Sequence, residues 1–502
     1  MDCPSFKEFL RLTKRGNVIP VYKEINADLD TPVSAYLKTQ RGDYGFLLES
    51  VEGRERIARY SFLGSEPAMI FSSRGRNIEI FDFRQKKSRS CFVTATHPLD
   101  EIRKIMGRFQ SVSVKGLPRF SGGLVGFIGY DSVRFFERIP DKNPQDLRLP
   151  DFCFLLAAQL LIFDHLRHRI KIVANVILPK KNKKLSPAVK KKLYLEAVCK
   201  IEELEQDFSR KRPGAESLQL RSEREKPNDK VTSNFTKKGF AQIVRAAKSY
   251  IKQGDVIQVV LSQRFKIRMR QEPFAVYRNL RGLNPSPYMY FLQFKDVNII
   301  GSSPEMLVRC EDGVIQTRPI AGTRPRGKTE SEDKRLAEEL VRDKKERAEH
   351  LMLVDLGRND LGRVSLAGKV TLSEFMQVEK YSHVMHLVSE VKARLDNSRF
   401  DIYDVLQAAF PAGTVTGSPK IRAMEIIDEL ETLRRGAYAG CVGYFSFSHN
   451  LDTCITIRTI IAKGEYAYVQ AGAGIVADSV PAKEYQESVN KARALIEAIR
   501  GG

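Results

Sequence analysis

The stretch Arg318-Pro-Ile-Ala-Gly-Thr-Arg-Pro-Arg326 restricts the fold and function of this chain more than any other part of its sequence. Its prolines fix backbone angles and its glycine permits unusual ones, so the stretch predicts a rigid basic turn. Two glutamate pairs follow at helical spacing, Glu346 with Glu349 and Glu484 with Glu487, so each pair shares one helix face. Arginines near several carboxylates predict a site for a small dicarboxylate substrate and a hard divalent cation.

The distribution of apolar residues divides the chain into two parts joined by a polar linker. Apolar runs typical of strands fill most of the first part. Residues 205–234 lose apolar periodicity and are rich in charged residues. We therefore predict an N-terminal domain at residues 1–204, a linker at 205–234 and a second domain at 235–502.

The order of the predicted elements favours an α+β fold over alternating βαβ units. Single strands are predicted over Phe152–Asp164 and Thr453–Ala462, because each run is mostly apolar. One long helix is predicted over Glu332–Leu356, and Ser418-Pro419 is predicted to cap and open another. A last helix is predicted to begin near Pro481 and to run to the end of the sequence.

The net charge of +22 at pH 7 first suggests a protein that binds nucleic-acid phosphates. The densest basic run, Lys180–Lys184 with Lys190–Lys192, follows a predicted strand and has no aromatic platform beside it. We therefore interpret the run as a solvated loop and expect no nucleic-acid partner. A basic nucleic-acid-binding protein stays as the alternative from another functional class.

The cysteines and the apolar runs indicate a cytoplasmic protein without membrane contact. The seven cysteines are scattered and form no C-x-x-C pair, which fits reduced thiols better than a disulfide framework. No apolar run reaches the roughly 18 residues that a membrane span requires. Residues 1–20 lack the continuous apolar centre of a signal peptide.

Two glycine-containing loops resemble ligand-binding loops without matching a nucleotide motif. The stretch Gly413–Lys420 fails the phosphate-loop pattern, because its glycines are four apart and Pro419 precedes the lysine. We therefore exclude nucleotide hydrolysis, although N–H groups at the following helix start could receive a carboxylate. Gly472-Ala473-Gly474 would let a ligand approach the backbone closely.

These segments together resemble a known family, the chorismate-binding enzymes, over residues 236–499. Residues 5–165 resemble the N-terminal domain of its anthranilate synthase branch, specifically the large subunit. The blocks that carry the resemblance are Gly254–Val260, Gly301–Glu305, Pro319–Arg326, Glu349–Asp360, Gly413–Lys420 and Gly472–Glu487. The family fold is a large sandwich of packed, mainly antiparallel β-sheets flanked by helices, and we expect that fold here.

Two positions discriminate between the branches of this family. Ala321 stands where aminodeoxychorismate synthases commonly carry a lysine that attacks the substrate ring. Gln258 stands where isochorismate and salicylate synthases carry a lysine that activates water. Neither side chain can perform that chemistry, so the remaining nucleophile is ammonia. Aminodeoxychorismate synthase component I stays as an alternative, because not every member of that branch need use the lysine.

The resemblance implies conversion of chorismate and ammonia to anthranilate and pyruvate, through 2-amino-2-deoxyisochorismate, with Mg²⁺ as cofactor. Glu349 and Glu487 are the implied direct Mg²⁺ ligands, with Glu346 and Glu484 acting nearby through water. The implied catalytic residues are His386, for proton transfer in the elimination, with Thr323 and Gln258. The implied substrate-binding residues are Gly322, Thr323, Tyr438, Arg458, Gly472, Ala473 and Gly474.

The resemblance also implies regulation and partners. The residues expected to bind tryptophan as a feedback inhibitor are Leu48, Glu49, Ser50, Pro287, Tyr288 and Met289. The sequence shows no glutaminase domain, so we expect a separate glutamine amidotransferase subunit to supply ammonia. A heterotetramer of two large and two small subunits is the assembly that the resemblance implies.

Overall fold

The computed structural model describes residues 3–50, 59–84, 88–179, 185–209, 230–381 and 384–501. The basic run Lys180–Lys184 therefore lies outside the described residues. The helices are α1 (Phe6–Leu12), α2 (Pro32–Thr39), α3 (Pro98–Met106), α4 (Pro187–Ser209), α5 (Lys237–Gln253), α6 (Pro273–Leu283), α7 (Glu330–Arg342), α8 (Lys344–Gly362), α9 (Ile402–Ala409), α10 (Lys420–Leu430) and α11 (Pro481–Arg500). Short 3-10 helices cover Tyr130–Phe135 and Gly413–Val415.

The strands precede, separate and follow these helices along the chain. They are β1 (Val18–Asn26), β2 (Tyr44–Glu49), β3 (Tyr60–Ser65), β4 (Met69–Arg74), β5 (Asn77–Asp82), β6 (Ser88–Val93), β7 (Gly123–Ile128), β8 (Phe152–Ala157), β9 (Gln159–Asp164), β10 (Arg169–Ile177), β11 (Thr232–Ser233), β12 (Gln258–Arg268), β13 (Tyr288–Phe294), β14 (Val297–Ser303), β15 (Met306–Glu311), β16 (Val314–Thr317), β17 (Ile320–Pro325), β18 (Thr371–Lys380), β19 (Val384–Arg394), β20 (Gly417–Ser418), β21 (Cys441–Ser446), β22 (Leu451–Ile455), β23 (Thr459–Lys463) and β24 (Tyr466–Ile475).

The described strands form two large sheets. The first has the order β1-β10-β9-β3-β2-β13-β14-β23-β24-β12-β11, with β20 also paired to β12. The second has the order β17-β19-β16-β15-β22-β21-β7-β8-β4-β5-β6, with β18 also paired to β19. Strand pairs in both are antiparallel, for example β12 with β24 and β21 with β7. This architecture confirms the predicted α+β sandwich.

Many strands in the middle of each sheet, such as β7 and β8, are buried on both faces, because helices cover the outer faces and the sheets cover each other. Phe46 and Leu47 on β2 show the consequence, since neighbouring side chains on a strand point to opposite faces. Phe46 packs in the cluster between the sheets, with Phe127 and Tyr444 of the second sheet. Leu47 packs in the cluster beneath the helices, near Leu495 of α11. Strands buried on both faces therefore appear in the sequence as nearly continuous apolar runs.

Several connections carry the chain directly from one sheet to the other. β8 passes to β9 at Ala158, β14 passes to β15 at Pro304-Glu305, and β22 passes to β23 at residues 456–458. The single strands predicted over Phe152–Asp164 and Thr453–Ala462 were therefore wrong, because each run forms two strands in different sheets. A short crossing between two buried strands leaves little polar sequence to mark it.

Strands from both predicted domains occur in each sheet. β2, from the N-terminal part, pairs with β13, and β7 pairs with β21. Helix α4 continues to Ser209, past the predicted boundary at residue 204. The division into two domains with a linker stays a prediction, because residues 210–229 lie outside the described part. No helix within the described ranges combines the length and apolarity that a bilayer crossing needs.

Three local predictions near the site were wrong. The stretch Arg318–Arg326 was predicted to form a turn. It instead contains strand β17, which pairs with β19. The long helix predicted over Glu332–Leu356 is interrupted at Asp343, which caps α8 by accepting hydrogen bonds from two backbone N–H groups. Helix α10 begins at Lys420, with Pro419 as its N-cap, and no side chain caps it.

The Asp343 cap generates a test of how the first turn of α8 is held. Replacing Asp343 with Ala removes the acceptor of the Lys345 and Glu346 N–H groups and should cost about 1 kcal/mol locally. We expect roughly fivefold faster amide exchange in the first turn, measured by hydrogen–deuterium exchange mass spectrometry. Asp343→Asn keeps an acceptor oxygen and should exchange nearly as the unchanged chain does. Equal exchange in the Ala variant would refute the capping role.

Candidate functional site

A bulge in the β17–β19 pair places Thr323 beside His386. Ala321 pairs with Leu387 and Thr323 with His386, which leaves Gly322 as the extra residue at φ +71°. The His386 Nδ1 lies 3.0 Å from the Gly322 carbonyl oxygen and 3.0 Å from Thr323 Oγ1. A carbonyl only accepts, so Nδ1–H donates to it and Nε2 keeps its lone pair. Burial, assisted by Arg458, lowers the pKa of His386, so the ring is neutral near pH 7.

The four predicted metal-site glutamates come from two helices, α8 packed on the second sheet and α11 packed on the first. Glu346 and Glu349 lie on α8, and Glu484 and Glu487 lie on α11. Burial raises the pKa of Glu349, and the nearby Glu346 and Glu487 carboxylates raise it further. Burial also raises the pKa of Glu484, with Glu487 adding to the shift. The four carboxylates therefore share one space, where their charges repel.

Two resident cations neutralise part of this acidic charge. Arg324 Nη1 lies 3.2 Å from Glu346 Oε1, and Lys491 Nζ lies 2.8 Å from Glu487 Oε1. The described residues contain no ready-made cage of three His, Cys, Asp or Glu donors for a metal. Magnesium needs no such cage, because it keeps several waters and binds through one or two carboxylates. The oxygen donor set and the excess negative charge around Glu349 fit a hydrated Mg²⁺.

Backbone and side-chain atoms of the protein lie very close to both glycines of the Gly472-Ala473-Gly474 segment, so a side chain at either position would be crowded. A Cβ on Gly472 would lie 2.6 Å from the Leu261 carbonyl oxygen and 3.0 Å from the Tyr438 hydroxyl. A Cβ on Gly474 would lie 2.6 Å from Gln258 Nε2. Ala473 is fully buried in the core between α5 and the first sheet, so only its backbone can face a ligand.

Tyr438 and Arg458 form the buried end of the site. Burial raises the pKa of Tyr438 to about 12, so its hydroxyl is protonated, and the Arg435 guanidinium lies 5.5 Å from its ring. Arg458 has φ +50°, a left-handed conformation that is strained for arginine and that concentrates at functional sites. Burial lowers the pKa of Arg458. Across the described ranges, no carboxylate forms an ion pair with its guanidinium, which fits an anionic ligand.

The contacts between these residues close a ring around one cleft. On one side, Gly322 contacts Glu346, since a Cβ there would lie 3.1 Å from Glu346 Oε2. Gln258 Nε2 lies 3.5 Å from Glu349 Oε1. On the other side, Lys491 Nζ donates to the Gly472 carbonyl at 3.1 Å. The Arg458 charge acts on both Tyr438 and His386, and His386 lies beside Gly322, where this series of contacts began.

Short contacts and charge interactions therefore link many of the predicted site residues to one another. Their individual roles stay predictions.

Glu305 is a further buried titratable group to which the sequence analysis assigned no role. Its carboxyl is fully buried at the crossing between β14 and β15, and burial raises its pKa to about 8. Thr414 offsets part of this shift. Both residues line a cleft of about 430 Å³ that also contacts Leu353 and Gly357 of α8. The sequence offered one clue, a lone glutamate between Pro304 and the apolar start of β15.

Lys491 and Arg324 were also missed, although their spacing could have identified them. Lys491 follows Glu487 by four residues on α11, the distance at which opposite charges pair on a helix. Arg324 lies directly after Thr323 and also contacts Asp343 Oδ2 at 2.7 Å. Each side chain therefore connects a metal-site carboxylate to a neighbouring structural element.

A second cavity lies between the two sheets, and all six residues predicted to bind tryptophan line it. It encloses about 520 Å³ of space that is not filled by protein atoms, part of which is open to solvent. Its predicted lining residues are Leu48, Glu49, Ser50, Pro287, Tyr288 and Met289. The buried Ser50 hydroxyl has no hydrogen-bond partner among the described residues. We call this space the regulatory cavity.

Aromatic and charged side chains share the walls of the regulatory cavity. Tyr444 and Tyr288 line it, together with Arg309 and Asp452. Arg309 Nε donates to Asp452 Oδ2 at 2.9 Å, and the Tyr288 hydroxyl donates to Asp452 Oδ1 at 3.1 Å. Glu49 accepts hydrogen bonds from Tyr277 and Arg281, so its carboxylate is fixed. The cavity suits an aromatic zwitterion, since it combines rings with both signs of charge.

Comparison with known proteins gives a consistent result over nearly the whole chain. A sequence profile described as chorismate binding enzyme matches residues 46–497. The chain is 47% identical over 500 residues to anthranilate synthase component 1 of Acetivibrio thermocellus, covering 99% of each protein. It is 48% identical over 496 residues to anthranilate synthase component 1 of Aquifex aeolicus, covering 99% of this chain and 97% of that protein.

A solved structure agrees with these sequence matches. The crystal structure of anthranilate synthase component I from Streptococcus pneumoniae superposes with a TM-score of 0.74 at 37% identity. The match covers 94% of this chain and 98% of that one.

Proposed function

The chain belongs to the chorismate binding enzyme family, and from this premise we propose that it is the large subunit of an anthranilate synthase. In this proposal it converts chorismate and ammonia to anthranilate and pyruvate. The observation that carries the proposal is Arg458, whose guanidinium faces His386 without an acidic partner in the described structure. A carboxylate of the substrate would supply the missing counter-charge.

The substrate carries two carboxylates, and the cleft offers a different environment for each. Arg458 would hold the enolpyruvyl carboxylate by a bidentate pair at the end of the cleft lined by Tyr438. The ring carboxylate would then point towards Glu349 and Glu487. Two carboxylates cannot approach each other favourably without a cation between them. Substrate orientation therefore follows from the separation of the arginine and the acidic helices.

We propose that Glu349 and Glu487 hold Mg²⁺ directly, with Glu346 and Glu484 contributing through water. When bound, the cation supplies Lewis-acid stabilisation of negative charge on the ring carboxylate. Arg324 and Lys491 keep the Glu346 and Glu487 side chains oriented. Gln258 donates to Glu349 and holds that carboxylate towards the cleft.

The first step adds ammonia at C2 of chorismate while the ring double bond shifts and the C4 hydroxyl leaves. Glu305 would donate the proton that turns this hydroxyl into water, since its pKa of about 8 keeps it protonated at neutral pH. The new amine loses one proton, so the step forms 2-amino-2-deoxyisochorismate and water. Ala321 offers no competing amine nucleophile on β17.

The second step eliminates pyruvate and makes the ring aromatic. Neutral His386 would accept the proton from C2 through Nε2 while the C3–O bond breaks. Its Nδ1–H bond to the Gly322 carbonyl fixes the ring orientation that this transfer needs. The released enolpyruvate gains a proton and becomes pyruvate, so atoms and charges balance.

We further propose a separate glutamine amidotransferase subunit as the ammonia source. The relatives named component 1 support a partner component, and the assembly of two large and two small subunits is part of the same proposal. We also propose that L-tryptophan occupies the regulatory cavity as a feedback inhibitor. The free cysteines support a cytoplasmic location.

Turnover by the purified chain tests the central proposal. Incubation with chorismate, Mg²⁺ and ammonium salt should give anthranilate fluorescence and an equal amount of pyruvate. The pH must be alkaline, because NH₃ is the nucleophile and NH₄⁺ is not. An aminodeoxychorismate product without pyruvate would instead identify the aminodeoxychorismate synthase branch. Salt-resistant, specific binding to DNA or RNA without turnover would identify the nucleic-acid-binding alternative.

Glu487→Gln tests the metal assignment, because it removes a negative charge and keeps the side-chain shape. We expect Mg²⁺ affinity measured by calorimetry to fall at least about tenfold, or about 1.4 kcal/mol, and turnover to be lost. Glu497→Gln, on an exposed face of the same helix, is the matched control and should change neither quantity. Full activity of Glu487→Gln at saturating Mg²⁺, with unchanged thermal stability, would refute the assignment.

Glu305→Gln tests the proton donor of the first step. We expect chorismate consumption to slow by about 10²- to 10⁴-fold, because glutamine cannot donate that proton. In the unchanged enzyme, the rate per concentration of free ammonia should fall above about pH 8, where Glu305 loses its proton. A Gln variant that retains this alkaline decrease would show that another group titrates.

A further inference from the structure

A fully buried ion pair between Arg435 and Glu431 lies just beyond the end of α10. Their side chains are 1% and 3% exposed, and Arg435 is the largest fully buried side chain among the described residues. Arg435 Nη2 lies 2.6 Å from Glu431 Oε1, and Nε lies 3.1 Å from Oε2. Apolar residues of similar size often stabilise a core as well as a buried ion pair does. Stability alone therefore does not explain charged residues at these positions.

Backbone groups of neighbouring segments fix both members of the pair. The Arg435 guanidinium donates to the carbonyl oxygens of Val415 and Val260, each at 2.7 Å. Glu431 Oε1 accepts from the N–H and the hydroxyl of Ser262, each at 2.8 Å. Hydrogen bonds to charged groups are the strong ones, and these restrain the guanidinium plane from several directions.

Two of these anchors belong to the strand that supports the predicted substrate-binding glycines. Val260 lies opposite Gly474, and Ser262 lies opposite Gly472, in the antiparallel pair of β12 with β24. A shift of the ion pair would therefore be passed to the backbone of Gly472-Ala473-Gly474.

The ring of Tyr438 rests against the same guanidinium. Its centroid lies 5.5 Å from the guanidinium carbon of Arg435, and the ring of Tyr130 lies 4.8 Å from that carbon. Both distances suit a cation–π contact. The Tyr438 hydroxyl lies over Gly472, 3.0 Å from the place that a Cβ would take there. The hydroxyl is protonated because burial raises the pKa of Tyr438, so it can donate to a substrate carboxylate.

We propose that Arg435 and Glu431 are positioning residues that hold the Tyr438 hydroxyl and the 472–474 backbone ready for a substrate carboxylate. Both act through these groups, since neither side chain is accessible. The enolpyruvyl carboxylate carries the same charge in the bound substrate and in the transition state of ammonia addition. Correct positioning therefore lowers the KM for chorismate and changes kcat little. The inference rests on the proposed function, because it explains how that site holds its substrate.

Replacing the pair with apolar residues of similar size tests the proposal. A double variant with Arg435→Met and Glu431→Leu leaves no charge buried without its partner. We expect the KM for chorismate to rise at least about tenfold, with kcat and the KM for ammonia within about threefold of the unchanged chain. Chorismate is not consumed without ammonia, so calorimetry with Mg²⁺ alone should show the same loss of chorismate affinity.

A second ion pair provides the matched control. Lys171 on β10 pairs with Glu24 on β1, at the end of the first sheet that lies far from β12. Lys171→Met with Glu24→Leu also removes a buried cation and its partner. This variant should keep the KM and the affinity for chorismate of the unchanged chain, whatever its thermal stability.

The conservative Arg435→Lys variant decides the question if the double variant fails to fold, as judged by its thermal melt. Lysine keeps the positive charge but lacks the planar fork that reaches Glu431 and two carbonyl oxygens at once, so the KM for chorismate should rise by about threefold to tenfold. A folded variant with unchanged KM would overturn the proposal. So would a fall in kcat alone, because that is the effect of a smaller folded fraction. If the unchanged chain makes no anthranilate, the proposed function itself fails.

Discussion

The site depends on charged groups that the fold places where water is scarce. The chain crosses between the two sheets at short connections, and two of these connections contain the buried side chains of Glu305 and Arg458. Charges in such surroundings interact strongly and are costly without a partner. Glu305 responds by holding its proton, whereas the permanently charged Arg458 requires an anion. Burial at these crossings therefore leaves one protonated carboxyl group and one guanidinium without an ion-pair partner among the described residues.

The acidic side of the cleft is balanced differently. Arg324 and Lys491 each pair with one glutamate, while Glu349 lies among like charges with only the Gln258 amide donating to it. These two ion pairs reduce the repulsion among the glutamates but compensate it only in part. In the proposed function, the remaining negative charge favours binding of a divalent cation. Arg324 also links β17 to the N-cap and the first turn of α8.

The sequence predicted the fold class and proposed a set of site residues, but it did not reveal the crossings. The glutamate spacing on α8 and α11 is visible because helical periodicity is local. The change of sheet between β8 and β9, or between β22 and β23, is not visible, because both strands are apolar on both faces. Glu305 was missed for the same reason, since its pKa of about 8 arises from burial at a crossing. Asp343 is the opposite case. An aspartate that can cap a helix is visible in the sequence, but it lies within a polar helical pattern that predicts one continuous helix.

Gln258 connects the choice of reaction to the metal site. Its amide bonds to Glu349 and fills the space over Gly474, at the start of β12. A lysine at this position would bring an ammonium group beside Glu349 and would compete with a cation for that carboxylate, besides offering a base for water. The neutral amide keeps the hydrogen bond and leaves the negative charge available. With Ala321 removing the other amine, the cleft retains acids, a neutral histidine and an anion clamp, so an external ammonia molecule is the nucleophile that this set of residues suits.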